Sequence, residues 1–487
     1  MNTKIISGNE FDSLRNTGIK VLMICPPVYD FRLEWPHWHY PTGLLQLGAL
    51  LQQQKKDVRL IDCLHTKRGE QLLRHKIGTQ EIQGHKFDKW HFGLPYTELK
   101  TRIEKLLEED WKPDTIFVTS LNSIWWESVR DTIALLKKLL PKAKTILGGA
   151  YPTVEPEHAA HHSGADKIIV GSVPEVVRLS PNLSLYQESP YSTGIYFYTS
   201  PSIYKKSQVQ HPCAVSKVLK EVKDKAELGV REFVFFDEEI RLEDREAFGE
   251  LLDKVAAADL DVHFVLPGSI SPHTITQDLA RKMRRARVTQ VCLRCDLHFD
   301  LDANRYTTNL SEYQRCVNAL VKSGSFEPRK ENLAAMLVVG LPYEDLDAVS
   351  ERLIQLAHIV GSVILVPFQY VPNLHTGPLF DRALAQNGSF SPEKFNSKLY
   401  PLALFSGKKL EEYMELTRLA TLLNSKYRSK TFDFLGEGFA AKMFRESIRS
   451  EGWNPFRKTP KSDENPETIT LDPSLMAAGG LQDDHSR

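Results

Sequence analysis

Short apolar runs alternate with amphipathic stretches along the first third of the chain. Ile19–Cys25 (IKVLMIC) is almost continuously apolar, the pattern of a strand buried on both faces. Thr42–Gln54 follows with Leu44, Leu45, Leu47, Leu50 and Leu51 at helical spacing, and Val58–Asp62 predicts a second strand. Cys63–Pro95 is polar, lacks clean periodicity and reads as an excursion packed against another region. Beyond it come a helix over Glu98–Glu109, a strand over Asp114–Ser120, a helix over Trp126–Leu140 and a strand over Lys144–Leu147. A helix over Glu157–Ser163 precedes a fifth strand, Lys167–Val170. Buried strands separated by helices predict a doubly wound parallel sheet over residues 19–172, after an N-terminal extension, 1–18.

A linker rich in Ser, Pro and Asn (173–193) leads to a second alternating region, 194–390. Its strands are predicted at Ile195–Thr199, Glu232–Phe236, Val262–Pro267, Thr289–Arg294, Leu333–Leu341 and Val363–Tyr370. Helices are expected at Ala214–Leu228, Asp244–Ala258, Gln277–Ala286, Ser311–Ser323 and Leu346–Val360, with a further piece at Pro378–Ala385. Six such units predict an open (β/α)6 barrel of parallel strands. Residues 391–454 read as helical, with a stripe at Leu410, Met414, Leu416, Leu419, Leu422 and Leu423 suited to covering the open side. The polar tail, 455–487, reads as disordered.

Charge and cysteine usage narrow the classes. Lys+Arg and Asp+Glu both total 62, so no net field favours nucleic acid or an anionic membrane. Six scattered cysteines, at 25, 63, 213, 292, 295 and 316, do not form a disulfide framework. Residues 1–18 lack the apolar core of a secretory signal, and no run is long enough to span a bilayer. The expectation is a soluble, cytoplasmic protein.

In open α/β sheets and barrels, ligands lie beyond the carboxyl ends of strands. Those ends carry Ser120–Leu121–Asn122, Gly148–Gly149 and Gly171–Ser172 in the first region. In the second they carry Asp237–Glu238–Glu239, Gly268–Ser269, Arg294–Cys295–Asp296, Gly340–Glu344 and Gln369–Tyr370. Paired glycines let a ligand approach the backbone, though they equally suit a tight turn. Acidic residues at a barrel mouth suit an amine or ribose hydroxyls; they also suit helix N-termini. Neither GxGxxG nor GxxxxGK[ST] occurs, which disfavours dinucleotide and nucleoside-triphosphate binding. His158, His161 and His162 have the spacing of a helical metal face, but nothing local completes it, and a solvated face is the better reading.

YPTGLLQLGALL, VTSLNSIWWESVRDTI, GGAYPTVEPEHA and ADKIIVGSVPE resemble the cobalamin-binding domain of cobalamin-dependent radical S-adenosylmethionine proteins. The strand order of the second region, FQYVPNLHTGPLF and FDFLGEGF resemble the rest of such proteins. The resemblance implies cobalamin across the strand ends, lined by Ser120, Leu121, Gly148, Gly149, Tyr151, Pro152, Gly171 and Glu175. Gly171–Ser172 departs from the family's Gly-Glu. The barrel's ligand residues would be Asp237, Glu238, Arg294 and Gly340. Asp62–Cys63–Leu64–His65 has the wrong spacing for the Asp-x-His-x-x-Gly signature that ligates cobalt, and His37 and His39 read as loop histidines.

The family holds a four-iron cluster on Cys-x-x-x-Cys-x-x-Cys after the first barrel strand. Here that stretch, TSPSIYKKSQVQHPC, offers only Cys213 and places Tyr204, Lys205 and Lys206 where ligands would stand. Cys292 and Cys295 form a CxxC on a strand, where i and i+3 face opposite sides. The expectation is therefore a corrin-binding or accessory protein without the 4Fe-4S cluster, an intact radical relative being one candidate partner. The alternative is a cobalamin-dependent enzyme, for methyl transfer or related chemistry, with a non-standard or absent cluster. S-adenosylmethionine stays open as a second ligand.

Overall fold

A computed structural model describes residues 3–8, 18–31, 41–66, 72–82, 84–187, 190–198, 212–237, 239–268, 270–295, 297–300, 305–327, 332–368, 370, 377–387 and 410–427. The first region contains β1 (Lys4–Ser7), β2 (Lys20–Cys25), β3 (Val28–Asp30), α1 (Thr42–Gln53), β4 (Asp57–Asp62), β5 (Arg74–Ile82) and β6 (His85–Phe92). It continues through α2 (Tyr96–Glu108), β7 (Thr115–Ser120), α3 (Trp126–Leu139), β8 (Lys144–Gly149), α4 (Ala150–Val154), α5 (Pro156–His162), β9 (Lys167–Val170) and α6 (Pro174–Val177). Six strands form a parallel sheet in the order β1-β9-β8-β7-β2-β4. The order reverses between β2 and β7, which makes their carboxyl ends the natural crevice.

Both faces of this sheet are covered, as its continuous apolar strands require. Leu22, Ile24, Ile116 and Val118 pack against α2 and α3, while Val21, Met23 and Phe117 meet Leu44, Leu47 and Leu51 of α1. Two features depart from the sequence expectation. The N-terminal extension supplies β1, which extends the sheet edge beside β9. The polar excursion contains the β5–β6 hairpin, paired to β3 in a separate antiparallel sheet.

The second region contains β10 (Ser192–Ile195), α7 (Val215–Glu227), β11 (Glu232–Phe235), α8 (Arg245–Ala257), β12 (His263–Pro267), α9 (Gln277–Arg285) and β13 (Val288–Arg294). A short hairpin, β14 (His298–Asp300) and β15 (Arg305–Thr307), precedes α10 (Leu310–Lys322), β16 (Leu333–Val339), α11 (Leu346–Val360), β17 (Val363–Pro367) and α12 (Pro378–Asn387). Strands β10-β11-β12-β13-β16-β17 pair in parallel in that sequential order, leaving β10 and β17 as edges. Val234, Val265, Cys292 and Ala334 cluster on one face of this sheet, and its larger core packs under the helices.

The last described helix, α13 (Leu410–Tyr427), lies against α11 and the β17 edge. Its Asn424 accepts from Val363 N–H at 2.8 Å and donates to Val363 C=O at 2.9 Å, so a side-chain amide stands in for a neighbouring strand. Glu344, in the turn after β16, accepts from Gly340 N–H at 2.7 Å and from Tyr413 O–H of α13 at 2.9 Å. Burial outweighs these bonds and pushes its carboxyl from 4.5 up to about 7.

The folded state therefore keeps the Glu344 proton to higher pH than the unfolded chain. Its contribution is fully present below pH 4.5 and is lost as pH rises toward 7. Urea unfolding between pH 5 and 8 should show wild type losing about 2 kcal/mol more than Glu344→Gln over that window. Equal pH slopes would contradict this account of Glu344.

Candidate ligand site

The carboxyl ends of the first sheet and the first strand–helix unit of the second enclose a cavity of about 340 Å³. That is within the size range of small-molecule sites. β8 runs into this cavity as Gly148–Gly149, whose partners across the ladder are Thr119 and Ser120. Gly149 sits at φ 101°, and a Cβ there would lie 2.4 Å from the Ser120 carbonyl oxygen. Gly148 is the opposite case: a Cβ would meet nothing within 4 Å, leaving bare backbone against open space. Gly171, at φ 82°, is similarly open. Thr153 ties the two glycine ends together, donating to Gly149 C=O at 2.7 Å and accepting from Gly171 N–H at 3.0 Å.

The wall beside β7 is the start of α1. Pro41, Thr42, Gly43 and Leu44 line it, with no side-chain cap and no acid in the first turn. The positive end of the α1 dipole therefore meets the cavity.

The opposite wall comes from the second region: Tyr196, Tyr198, Cys213, Lys217, Glu221 and Phe236. Asp237 positions it. Its buried carboxylate accepts from Phe197 N–H at 2.7 Å and Tyr198 N–H at 2.9 Å, which are amides past the end of β10. Tyr198 then donates its hydroxyl to Asp244 at 2.7 Å, and the Arg241 guanidinium lies over its ring. Asp237→Ala should cost about 2–3 kcal/mol, since it strands two buried amides, and should appear as a lowered urea midpoint. An unchanged midpoint would show that this clamp is not structural.

Of the residues singled out from the sequence, Ser120, Leu121, Gly148, Gly149 and Gly171 converge on the cavity. Tyr151 does not: it is fully buried, its hydroxyl meeting His158 Nδ1 at 2.7 Å. Pro152 is buried in α4, and Glu175 is exposed on α6. Asp237 acts on backbone, Arg294 pairs with Glu239 at 2.8 Å, and the Gly340 N–H is taken by Glu344. Glu238, His37, His39, Tyr204, Lys205 and Lys206 lie outside the described residues.

Sequence reasoning missed the α1 start, Thr153, and the Tyr196, Tyr198 and Lys217 wall. The alternation of Tyr196 and Tyr198 about buried Phe197 was the available signal.

The cysteines divide sharply. Cys25, Cys63, Cys292, Cys295 and Cys316 are buried, whereas Cys213 is half-buried and lines the cavity. Burial pushes the Cys25, Cys63, Cys292 and Cys316 thiols up. It also raises Cys213, against the opposing pull of nearby Lys217. Cys292 and Cys295 belong to different core clusters, as their strand spacing implies. His158 and His162 stack at 4.2 Å, with Trp126 edge-on to both rings. Among the described residues no group of three His, Cys, Asp or Glu side chains is arranged to hold a metal ion. None of the described helices is long and apolar enough to cross a membrane.

No family model matches the chain. It is 25% identical over 152 residues to the cytidylyl-2-hydroxyethylphosphonate methyltransferase of Streptomyces wedmorensis, covering 31% of this chain and 26% of that protein. The match thus spans about a quarter of the relative's length. Among solved structures, the chain resembles the radical S-adenosylmethionine methyltransferase TsrM from Kitasatospora setae, determined with cobalamin and a [4Fe-4S] cluster bound. The likeness covers 95% of both chains with a TM-score of 0.56 at 11% identity. At that identity the likeness is one of fold, and this chain has the fold of that methyltransferase structure.

Proposed function

We propose that this protein binds cobalamin in the cavity between its two sheets and does not assemble the four-iron cluster, acting as a corrin-binding or accessory protein. The glycine floor supports the first part. Gly148 and Gly171 leave backbone open to the cavity where any side chain would intrude on a flat ring. Ser120 and Leu121 would border the ring, and the α1 start would face its rim. His65 does not line the cavity; its ring stacks on Tyr186 at 4.7 Å. Bound cobalamin would supply a cobalt centre able to carry a methyl group.

The observation that carries the second part is the thiol inventory. A cubane needs soft thiolate ligands, three of them in this family's pattern. Here one cysteine of six reaches the cavity, the other five are buried, and 199–211 contains none. This donor set does not fit a cluster. Titration with hydroxocobalamin under anaerobic reconstitution tests both parts, by corrin absorption and by iron content.

A second reading is favoured by the two relatives, both described as methyltransferases. In it the protein is a cobalamin-dependent enzyme that transfers methyl groups with a non-standard or absent cluster. S-adenosylmethionine then serves as a second ligand.

A further inference from the structure

One cation lining the cavity has no counter-ion of its own among the described residues. Lys217 and Glu221 are its charged side chains, one helical turn apart on α7. Glu221 is ion-paired with the buried ammonium of Lys225, 2.7 Å away, which also reaches Gly194 C=O at 3.3 Å. Behind the wall the Asp237 carboxylate is held by the Phe197 and Tyr198 amides, and it and Glu221 act on Cys213 in the sense opposite to Lys217. The Lys217 ammonium makes no ion pair or hydrogen bond among the described residues, and the residue is half-buried. The remaining lining is mostly apolar or backbone, which screens a charge less than bulk water does. From across the cavity the uncapped start of α1 adds potential of the same sign.

We propose that Lys217 is a recognition residue for the anionic group of a second small molecule, a carboxylate or phosphonate, entering the cavity from the second-sheet side. This goes beyond corrin binding and does not rest on it, because the unpartnered Lys217 ammonium belongs to the protein alone. Two sources share this chemistry: the carboxylate of S-adenosylmethionine and a free acidic substrate.

Cys213 is a built-in reporter, because it lines the same wall and is the cysteine among six that is not buried. Its alkylation by anionic iodoacetate and by neutral iodoacetamide can be followed by mass spectrometry in the full chain without cobalamin. A cation that gathers anions should raise the iodoacetate-to-iodoacetamide rate ratio about three- to tenfold over Lys217→Gln, and the excess should fall with salt. Lys217→Arg should retain it.

Protection of Cys213 by methylphosphonate assigns the site to a free acid, and protection by S-adenosylmethionine alone assigns it to that carboxylate. Either supports the proposal. A ratio unchanged in Lys217→Gln would overturn it, as would a Cys213 that neither reagent modifies. Loss of cobalamin binding in a separate titration leaves these readouts untouched, so the two readings fail independently.

Discussion

Gly149→Ala is expected to lose about 3 kcal/mol or more of stability, through two additive causes. The residue sits at φ 101°, where an L side chain is strained, and its Cβ would fall 2.4 Å from the Ser120 carbonyl. Neither can yield cheaply, because the Cβ is fixed by the Gly149 backbone and the carbonyl is itself backbone of the β7–β8 ladder. Relief requires those strands to part at the cavity, so ligand binding should weaken as well. A urea midpoint within error of wild type would contradict the geometry assigned to this strand end.

Its neighbour should behave in the opposite way. Gly148 has open space where a side chain would go, so Gly148→Leu should change stability by no more than about 1 kcal/mol. The new side chain would occupy the cavity floor. Cobalamin affinity is expected to fall by about 100-fold or more, read by equilibrium dialysis with hydroxocobalamin. A folded Gly148→Leu variant with wild-type affinity would place the corrin elsewhere. The adjacent pair thus separates a glycine required by the fold from one required by a ligand.

The parallel strands announce themselves because both their faces are buried. IKVLMIC is apolar but for Lys20, DTIFVTS carries an unbroken Ile116–Phe117–Val118 core, and β9 falls on Lys167–Val170 as its pattern indicates. β1 escaped because KIIS is four residues long at a sheet edge with Ile5 48% exposed, too little apolar pattern to register. The β5–β6 hairpin escaped for a related reason. RHKIGTQEI and HKFDKWHF are rich in charge, and a register shift between Lys76 and Gly78 breaks the alternation.

The first strand of the second sheet shows a different limit. Ile195–Thr199 has the composition of a strand, yet β10 ends at Ile195. The amides of Phe197 and Tyr198 are claimed by the Asp237 carboxylate instead of by a strand. Cys213 N–H returns to Phe197 C=O at 2.8 Å. Composition records the preference of those residues, whereas a carboxylate forty positions away decides their partner.

The site divides along the same line. Strand-end glycines were legible because a buried strand running into Gly-Gly is a local pattern. The Lys217 wall was not, because it acquires meaning only when α7 is set against the ends of β7 and β8. Asp237 was legible as a strand-end acid, but the structure turns it toward backbone.

Anaerobic reconstitution with iron, sulfide and hydroxocobalamin tests the central claim most directly. The account predicts about one corrin per chain, iron well below four per chain, and no cleavage of S-adenosylmethionine on reduction. A stoichiometric four-iron cluster that cleaves S-adenosylmethionine would contradict it.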